Sequence, residues 1–341
     1  MPTELNIEQP AALLAYLRAG GWIGADEAPR TAVLSGGVSC RTVLVERVNG
    51  EGWVVKQALA RLRVQVDWFS DPARIHREAL SIAVLAPLCP PGSVPRLIFE
   101  DLPNTIMAME AVPQPHANWK HLLLAGDLQT DHVQQFARLL ATIHRETGLR
   151  RDALMADFGD RSFYESLRLE AYYHYTGTQV PEAADFYADL ITATRARQDT
   201  LVHGDYSPKN VLVHHGQLVL LDYEVAHMGE PAFDLGFSLT HLLSKAHHLP
   251  ALRGEFANAA LLYWQTYRAA IGDAPWAAGL EARAVRHTLG CLLARVAGRS
   301  PLEYLDTVER ARQQAAVVAL MADPPASVEA LVTGFIGRIQ A

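Results

Sequence analysis

The stretch of sequence that decides the fold reads V-H-G-D-Y-S-P-K-N over Val202–Asn210, with L-L-D-Y-E following over Leu220–Glu224. Apolar residues on both sides of the turn His215-Gly216 predict an isolated β-hairpin between the two polar stretches. Such a hairpin returns Asp222 towards the loop that carries Asp205 and Asn210. The sequence therefore predicts two carboxylates and one amide oxygen at a single place.

This set of side chains matches the needs of phosphoryl transfer. The reaction requires little covalent help, but it requires a carboxylate to orient the attacking hydroxyl and oxygen ligands to hold Mg²⁺ on the triphosphate. Mg²⁺ prefers a few hard oxygen ligands and keeps several waters, so one amide and one carboxylate suffice. The competing interpretation is a polar turn before an edge hairpin, with Asp205 as a cap. The complete pattern, with its flanking strands, favours the functional interpretation.

The loop resembles the catalytic loop of the aminoglycoside phosphotransferase and choline kinase superfamily, which includes methylthioribose kinase. The resemblance implies that Asp205 is the catalytic base or hydroxyl-orienting group, and that Asn210 and Asp222 ligate Mg²⁺. It also implies ATP as co-substrate. His203, Lys209 and Glu224 are candidates for supporting roles.

A second segment, G-E-P-A-F-D-L-G over Gly229–Gly236, is similar to the G-x-P-x-x-D-L segment of the same superfamily. The resemblance implies that Asp234 braces the catalytic loop. A helix N-cap is the alternative for Asp234, and it is compatible with that role.

The first 110 residues show the pattern of an antiparallel sheet with one inserted helix. Strand patterns are followed by a helix that Asp71-Pro72 is predicted to start, with Asp as N-cap and Pro at the first helical position. Lys56 ends the third strand pattern, and Glu78 is the acidic residue inside the helix. The resemblance implies that Lys56 neutralises phosphate charge while Glu78 holds the lysine. Taken alone, either residue is more often a solvated surface charge.

Two further segments are candidates for nucleotide contacts. Ser35, Gly36 and Gly37 lie in a glycine turn between two strands, where backbone N–H groups can cradle phosphate oxygens. Met109, Glu110 and Val112 match the family's connection between lobes, which implies backbone contacts to adenine and an apolar wall from Met109. An ordinary turn and an ordinary core strand are the alternatives. There is no complete G-x-G-x-x-G and no P-loop motif.

The pattern beyond residue 111 is mostly helical. The pattern predicts an α+β protein, and the resemblance implies the bilobal protein-kinase-like fold, with a nucleotide-binding lobe over 1–110 and a helical lobe over 111–341. Only 12 positions separate Asp222 from Asp234, which is too short for a protein-kinase activation loop and favours a small-molecule acceptor. The candidates to line the acceptor site are Tyr164, Arg168, Tyr172, Tyr173 and Tyr175, with helix packing as the favoured alternative for most of them. The segment R-V-A-G-R-S-P-L-E-Y over Arg295–Tyr304 resembles one in uncharacterised bacterial members, and its role stays open.

Amino-acid composition argues against several classes of protein. The chain has 341 residues, and 30 Lys and Arg against 37 Asp and Glu give a net charge of −7. This balance gives no electrostatic reason to bind nucleic acid or an anionic membrane. Three scattered cysteines argue against a disulfide framework or a zinc site. Neither a signal peptide nor a membrane span is evident, so we expect a cytoplasmic protein. His214-His215 and His247-His248 are interpreted as surface loop residues.

The predicted function is ATP- and Mg²⁺-dependent transfer of a phosphoryl group to a hydroxyl of a small molecule, either an antibiotic such as an aminoglycoside or a sugar-like metabolite. Two alternatives remain. A nucleotide-binding pseudokinase would lack turnover, and a protein kinase would act on a macromolecule. The sequence does not fix the oligomeric state.

Overall fold

The computed structural model describes residues 5–34, 39–63 and 69–340. They form two compact units. The first comprises residues 1–116 together with 219–224, and the second comprises residues 117–218 and 225–341. The expectation of an antiparallel sheet with one inserted helix, followed by a helical region, is confirmed.

The first unit contains a five-stranded antiparallel sheet in the order β1–β2–β3–β5–β4. Alternating apolar residues and the Asn49-Gly50 turn produce the central hairpin, because alternation gives each strand one buried face. Its elements are α1 (Pro10–Ala19), β1 (Arg30–Val33), β2 (Cys40–Glu46), β3 (Gly52–Ala58), α2 (Arg74–Leu85), β4 (Leu97–Asp101) and β5 (Ile106–Glu110). In this register Lys56 lies opposite Thr42 of β2 and Met107 of β5.

The core of the first unit lies between the sheet and α1. Val43, Val45 and Val55 supply the sheet side, and Leu13 and Leu17 supply the helix side. Burial of these side chains fixes the strand register, since a shift by one residue would turn every apolar side chain to the opposite face. The position of Lys56 in β3 follows from this register.

The predicted start of the inserted helix is wrong by two residues. Helix α2 begins at Arg74, and the Asp71 carboxylate accepts a hydrogen bond from the N–H of Ala73 in the turn before it. Asp71 and Pro72 therefore form the preceding turn rather than the N-cap and first helical position. Arg74 is fully buried and donates to the carbonyl oxygens of Ser70 and Asp71. These two hydrogen bonds stabilise the turn.

The second unit is predominantly helical, as predicted. Its longer helices are α4 (Thr130–Gly148), α8 (Ala184–Arg195), α9 (Ala232–His248), α10 (Arg253–Ile271), α11 (Leu280–Ala297), α12 (Thr307–Ala322) and α13 (Val328–Gln340). The shorter ones are α3 (Trp119–Leu124), α5 (Arg151–Phe158), α6 (Ser162–Tyr164) and α7 (Tyr175–Gln179). A π-helical segment covers Glu165–His174. None of the helices among the described residues has the length and apolarity required to cross a membrane.

Helix α9 runs through the core of the second unit. All its residues from Ala232 to His247 are buried. The interpretation of His247-His248 as surface loop residues is wrong, because both belong to α9. His247 lies with its ring centroid 6.5 Å from that of Phe335 on α13, and His248 Nδ1 lies 3.0 Å from Glu309 Oε1.

Short strands frame the loop that the sequence singled out. They are β6 (His116–Asn118), β7 (Thr200–Val202), β8 (Val211–His214), β9 (Gln217–Leu220) and β10 (His227–Gly229). β7 ends directly before His203 and pairs with β10. β8 has β6 as a neighbour in its sheet, so the predicted hairpin is not isolated. His215 and Gly216 both have positive φ, as two-residue hairpin turns require.

Candidate active site

An ion pair fixes the lysine of β3 in the first unit. Lys56 Nζ lies 2.5 Å from Glu78 Oε2, and the Glu78 side chain is fully buried. Burial lowers the pKa of Lys56, but the carboxylates of Glu78 and Asp222 outweigh it and raise that pKa above the ordinary lysine value. Burial raises the pKa of Glu78, against the opposing charge of Lys56. The lysine is therefore held as a cation.

Asp222 belongs to the same group of charges. Its Oδ1 lies 3.8 Å from Lys56 Nζ, which is beyond hydrogen-bond distance. The backbone at Asp222 has a φ of 71°, a region that costs a non-glycine residue about 1 kcal/mol. This Oδ1 is buried and has no hydrogen-bond partner among the described residues. A strained, buried and unsatisfied carboxylate oxygen is suited to ligate a cation.

Glu224 lies near the group formed by Lys56, Glu78 and Asp222 and contributes a further ion pair. Its Oε2 lies 3.1 Å from Nε of the buried Arg74. Arg74 also donates to the carbonyl oxygens of Leu59 and Ser39. One side chain thereby ties α2 to the segment that carries Asp222. Sequence analysis missed Arg74, because nothing in its neighbourhood distinguishes it from a surface arginine.

The candidate adenine contacts lie where the sheet ends. Met109 is buried in β5, and Glu110 at its end is exposed. The N–H of Glu110 donates to the carbonyl of Arg96, so that donor is engaged within the protein. The carbonyl oxygen of Val112 lies 3.1 Å from His116 Nδ1. Ser35, Gly36 and Gly37 lie outside the described residues.

In the second unit, Asp234 holds the loop that carries Asp205. Its carboxylate is fully buried and accepts hydrogen bonds from the N–H groups of His203, at 2.7 Å, and Gly204, at 2.9 Å. His144 Nε2 lies 3.3 Å from the same carboxylate. Asp234 is not the N-cap of α9, because Pro231 occupies that position.

Gly204 is required by its surroundings. It has a φ of +76°, and a Cβ there would lie 2.8 Å from Val225 Cγ2. Only glycine tolerates both the conformation and the contact. His203 is buried, and its Nδ1 accepts a hydrogen bond from the N–H of Asp205. The backbone around Asp205 is therefore fixed on both sides.

The Asp205 carboxylate is held by an arginine from the π-helical segment. Arg168 Nη2 lies 3.1 Å from Asp205 Oδ2, and Arg168 Nε donates to the carbonyl of Gly204. Burial raises the pKa of Asp205, but Arg168, with Lys209 and His203, outweighs it and leaves that pKa below the ordinary value. Asp205 is therefore ionised at neutral pH.

Asn210 completes the loop. Its Nδ2 donates to the carbonyl of Asp205 at 3.0 Å, which orients the amide of this buried side chain. That orientation leaves the amide oxygen, the atom type that Mg²⁺ prefers, to face away from the loop carbonyl. Lys209 is exposed, and its carbonyl accepts a hydrogen bond from Asn118.

The residues implied as Mg²⁺ ligands fit a hard cation in their chemistry, since they offer an oriented amide oxygen and an unsatisfied buried carboxylate oxygen. Within the described ranges there is no group of three or more His, Cys, Asp and Glu side chains placed to hold a metal ion. A cation bound to either residue would depend on other oxygen donors, as Mg²⁺ bound to substrate phosphates does.

The tyrosines proposed near the acceptor site separate into two kinds. Tyr164 and Tyr173 are buried and pack against Phe233, so the packing alternative holds for them. Tyr172 differs, because its hydroxyl accepts a hydrogen bond from Arg295 and its ring centroid lies 5.7 Å from the Arg168 guanidinium.

Comparison with known proteins defines the class. A model of the phosphotransferase enzyme family, APH, matches residues 30–270. The chain belongs to this phosphotransferase family, whose members are small-molecule kinases with hydroxyl acceptors. The predicted family and enzyme class are confirmed. No curated protein matches the sequence significantly.

Solved structures show the same fold. A choline/ethanolamine kinase family protein from Mesorhizobium loti is similar with a TM-score of 0.54 and 13% identity, over 98% of each chain. Amicoumacin kinase, in complex with AMP-PNP, Ca²⁺ and Ami, gives 0.53 and 14%, over 92% of this chain and 94% of the other. An aminoglycoside 2′-phosphotransferase IIIa variant with GDP gives 0.52 and 14%, over 92% and 97%. The predicted kinase-like fold is confirmed.

Proposed function

We propose that the protein transfers the γ-phosphoryl group of ATP, with Mg²⁺, to a hydroxyl of a small molecule by direct in-line displacement. The observation that carries this proposal is the buried group of Lys56, Glu78 and Asp222. A lysine held as a cation beside an unsatisfied carboxylate matches the needs of a metal triphosphate, because one neutralises phosphate oxygens and the other ligates the metal. The cytoplasm, where ATP is abundant, is the compartment that we propose.

The residues of the second unit support the acceptor half of the reaction. The acceptor oxygen forms a bond to the γ-phosphorus, the bond from that phosphorus to the β–γ bridging oxygen breaks, and ADP leaves. The hydroxyl proton passes to Asp205 and then to solvent. Arg168 keeps the carboxylate ionised and in position, so Asp205 can accept this proton. Bound Mg²⁺ supplies neutralisation of the charge on the phosphates.

Roles follow for the other residues. We propose that Asn210 and Asp222 hold Mg²⁺, and that Asp234 and His203 position the loop without touching substrate. We also propose that Met109 and the backbone near Glu110 and Val112 receive adenine. Glu224 positions Arg74 and hence the Asp222 segment.

The test is ADP release from MgATP across a panel of hydroxyl acceptors, including aminoglycosides, macrolides, methylthioribose, choline, homoserine, sugars and sugar acids. We expect one class to stimulate release, and Asp205→Asn to lower kcat by about 10³-fold, because the variant lacks the proton acceptor. ATP binding by the variant should persist.

Asp152→Asn is the matched control, since the Asp152 side chain is 94% exposed. It should keep full activity. Equal turnover by Asp205→Asn and wild type would show that another group receives the proton. ATP binding without turnover on any acceptor would favour the pseudokinase alternative.

A further inference from the structure

Helix α9 carries a polar stripe through a buried, largely apolar environment. Asp234, Ser238, His241 and Lys245 follow one another at intervals of four, three and four residues, so they share one face of the helix. Asp234 and Ser238 hold the catalytic loop, the latter through a 2.9 Å bond to the carbonyl of Tyr206. His241 and Lys245 continue the stripe beyond the loop.

The Lys245 amine is buried and has no counterion among the described residues. Its side chain is 0% exposed, and Nζ lies 3.3 Å from the carbonyl of His241 and 5.4 Å from the Tyr304 ring centroid. In the part of the chain that the structure describes, no carboxylate lies within 4.0 Å of it. Burial, followed by the charges of Lys120 and Arg295, lowers the pKa of Lys245 to about 7.

Arg295 enters the same region from α11 and also lacks a carboxylate partner among the described residues. Its Nη1 donates to the hydroxyl of Tyr172 and to the carbonyl and hydroxyl oxygens of Ser300. Its guanidinium lies 5.6 Å from the Tyr172 ring centroid and 5.8 Å from that of Phe237. All these partners are neutral, so none of these hydrogen bonds compensates the charge.

Three buried polar atoms at this place have no hydrogen-bond partner among the described residues. They are Nε of Arg295, Nε2 of His241 and the hydroxyl oxygen of Tyr304. Buried polar atoms in native proteins are nearly always paired, so three such atoms beside two unpaired cations indicate a ligand. All three can donate hydrogen bonds to an anion without any change of charge, His241 in the neutral tautomer that carries its proton on Nε2.

The charge balance of the region is positive. Glu303 is the carboxylate that raises the pKa of Lys245, but its side chain is 65% exposed and pairs with Lys120. This leaves Lys245 and Arg295 to be compensated from outside the protein. Burial of unpaired charge costs several kcal/mol per ion, and a bound anion offsets such a cost.

The region continues directly from the catalytic loop. Arg168, which pairs with Asp205, stacks over the ring of Tyr172, whose hydroxyl is bound by Arg295. From Ser238, which holds the loop, to His241 the helix rises only about 5 Å. One small acceptor can thus place its reacting hydroxyl at Asp205 and a second group at His241.

We propose that His241, Lys245 and Arg295, with the hydroxyls of Tyr172 and Tyr304, form a subsite for an anionic group, a carboxylate or a phosphate, on the acceptor. This inference rests on the proposed function and specifies its substrate class as hydroxy acids, sugar acids or sugar phosphates. It assigns a role to the Arg295–Tyr304 segment. It also excludes polycationic aminoglycosides, which this charge would repel.

The first test measures anion binding without turnover. Thermal unfolding is followed with inorganic phosphate, and with chloride at equal ionic strength, for wild type, Lys245→Met and Arg299→Met. We expect phosphate to raise the wild-type Tm more than that of Lys245→Met. Arg299 is exposed and belongs to the same segment, so Arg299→Met should respond as wild type does.

This design separates the subsite from other phosphate contacts. Phosphate that binds near Lys56, or that is excluded from the surface, should raise the Tm of Lys245→Met as much as that of wild type. The difference between the two proteins in their phosphate-induced change of Tm therefore reports binding at the subsite. Without phosphate, Lys245→Met should unfold at a higher temperature than wild type, because it no longer buries an unpaired charge. Equal phosphate responses in wild type and Lys245→Met would overturn the proposal.

The second test uses matched acceptors that differ in one anionic group, namely gluconate and glucose, glycerate and glycerol, and glucose 6-phosphate. We expect the acids to be preferred, and Lys245→Met to raise their KM roughly 10- to 100-fold, the value of one charge-assisted hydrogen bond. Its kcat should change little. Kanamycin or a neutral sugar turned over as well as the acids would overturn the proposal. If no acceptor were turned over while phosphate still bound through Lys245, the result would instead contradict the proposed function.

Discussion

Lys56 and Lys245 are two of the four lysines in the chain, and both are buried. Around Lys56 the neighbouring charges are carboxylates, and the pKa of the lysine is raised. Around Lys245 they are mostly cations, and its pKa is lowered to about 7. Burial penalises both ammonium groups, so the sign of the neighbours decides the outcome. Lys56 therefore has its counterion within the protein, whereas we propose that the counterion of Lys245 is a bound anion.

The largest expected effect comes from replacing the compensated lysine. Lys56→Met should lower the free energy of unfolding by about 3 kcal/mol, because Glu78 stays buried without its partner. It should also lower kcat/KM for ATP by about 10²- to 10³-fold, the value of a preorganised charge on the phosphates. Urea unfolding and steady-state kinetics measure the two effects. Exposed Lys209 provides the control, since Lys209→Met should leave stability within about 0.5 kcal/mol of wild type.

Lys245→Met should act in the opposite direction on stability, by about 1 kcal/mol. If both variants lost stability to the same extent, the contrast between the two regions would be wrong. Lys245 would then be a structural residue with an unrecognised counterion.

The pH dependence of stability sharpens the contrast. Lys245 loses its proton near pH 7 in the folded protein, but only near pH 10.4 when unfolded. Between these values the unfolded chain holds the extra proton, so the free energy of unfolding rises with pH by up to about 1.4 kcal/mol per unit. Urea unfolding at pH 7.5, 8.5 and 9.5 should show a steeper rise in wild type than in Lys245→Met.

Among the described residues, the charged and titratable groups that face Lys245 are Lys120, His241, Arg295, Glu303 and Tyr304, and all remain in the variant. The pKa of His241 is lowered, mainly by burial, and that of Tyr304 is raised by burial, so neither titrates in this window. Parallel stability curves for the two proteins would show that Lys245 keeps its charge.

The smallest effect should come from Glu303→Gln. The Glu303 side chain is mostly exposed, and exposed ion pairs contribute about 0–1 kcal/mol. Stability should change little, and the pKa of Lys245 should fall by a fraction of a unit. Because the chain has only four lysines, NMR of protein labelled with ¹³Cε-lysine can resolve the titration of each one. Spectra of single-lysine variants assign each signal to its residue. A large fall would identify Glu303 as a genuine counterion of Lys245.

The parts of the fold and site that sequence predicted are those fixed by local patterns. The loop from Asp205 to Asn210 is one short segment, and the resemblance to the superfamily points to Lys56 on a strand and Glu78 in the following helix. The pairing of Arg168 with Asp205, or of Arg295 with Tyr172, joins residues 37 and 123 positions apart. Such pairs depend on how helices pack, which a single sequence does not specify.

The wrong predictions have the same origin. Asp71-Pro72 satisfies the rules of a helix start, but the buried Arg74 bonds to the carbonyls of the turn, and α2 begins there. His247 and His248 have the composition of a surface loop, yet α9 continues through both. In each case tertiary packing overrides a local preference.

The stripe on α9 has a consequence for how specificity can evolve. A helix rises by a fixed amount per residue, so His241 and Lys245 lie at fixed distances along α9 from Asp234. A basic residue can move along the stripe only by three or four positions, which is about one turn or 5 Å. Acceptor length in proteins that share this arrangement would therefore change in discrete steps, while the catalytic loop at the other end stays as it is.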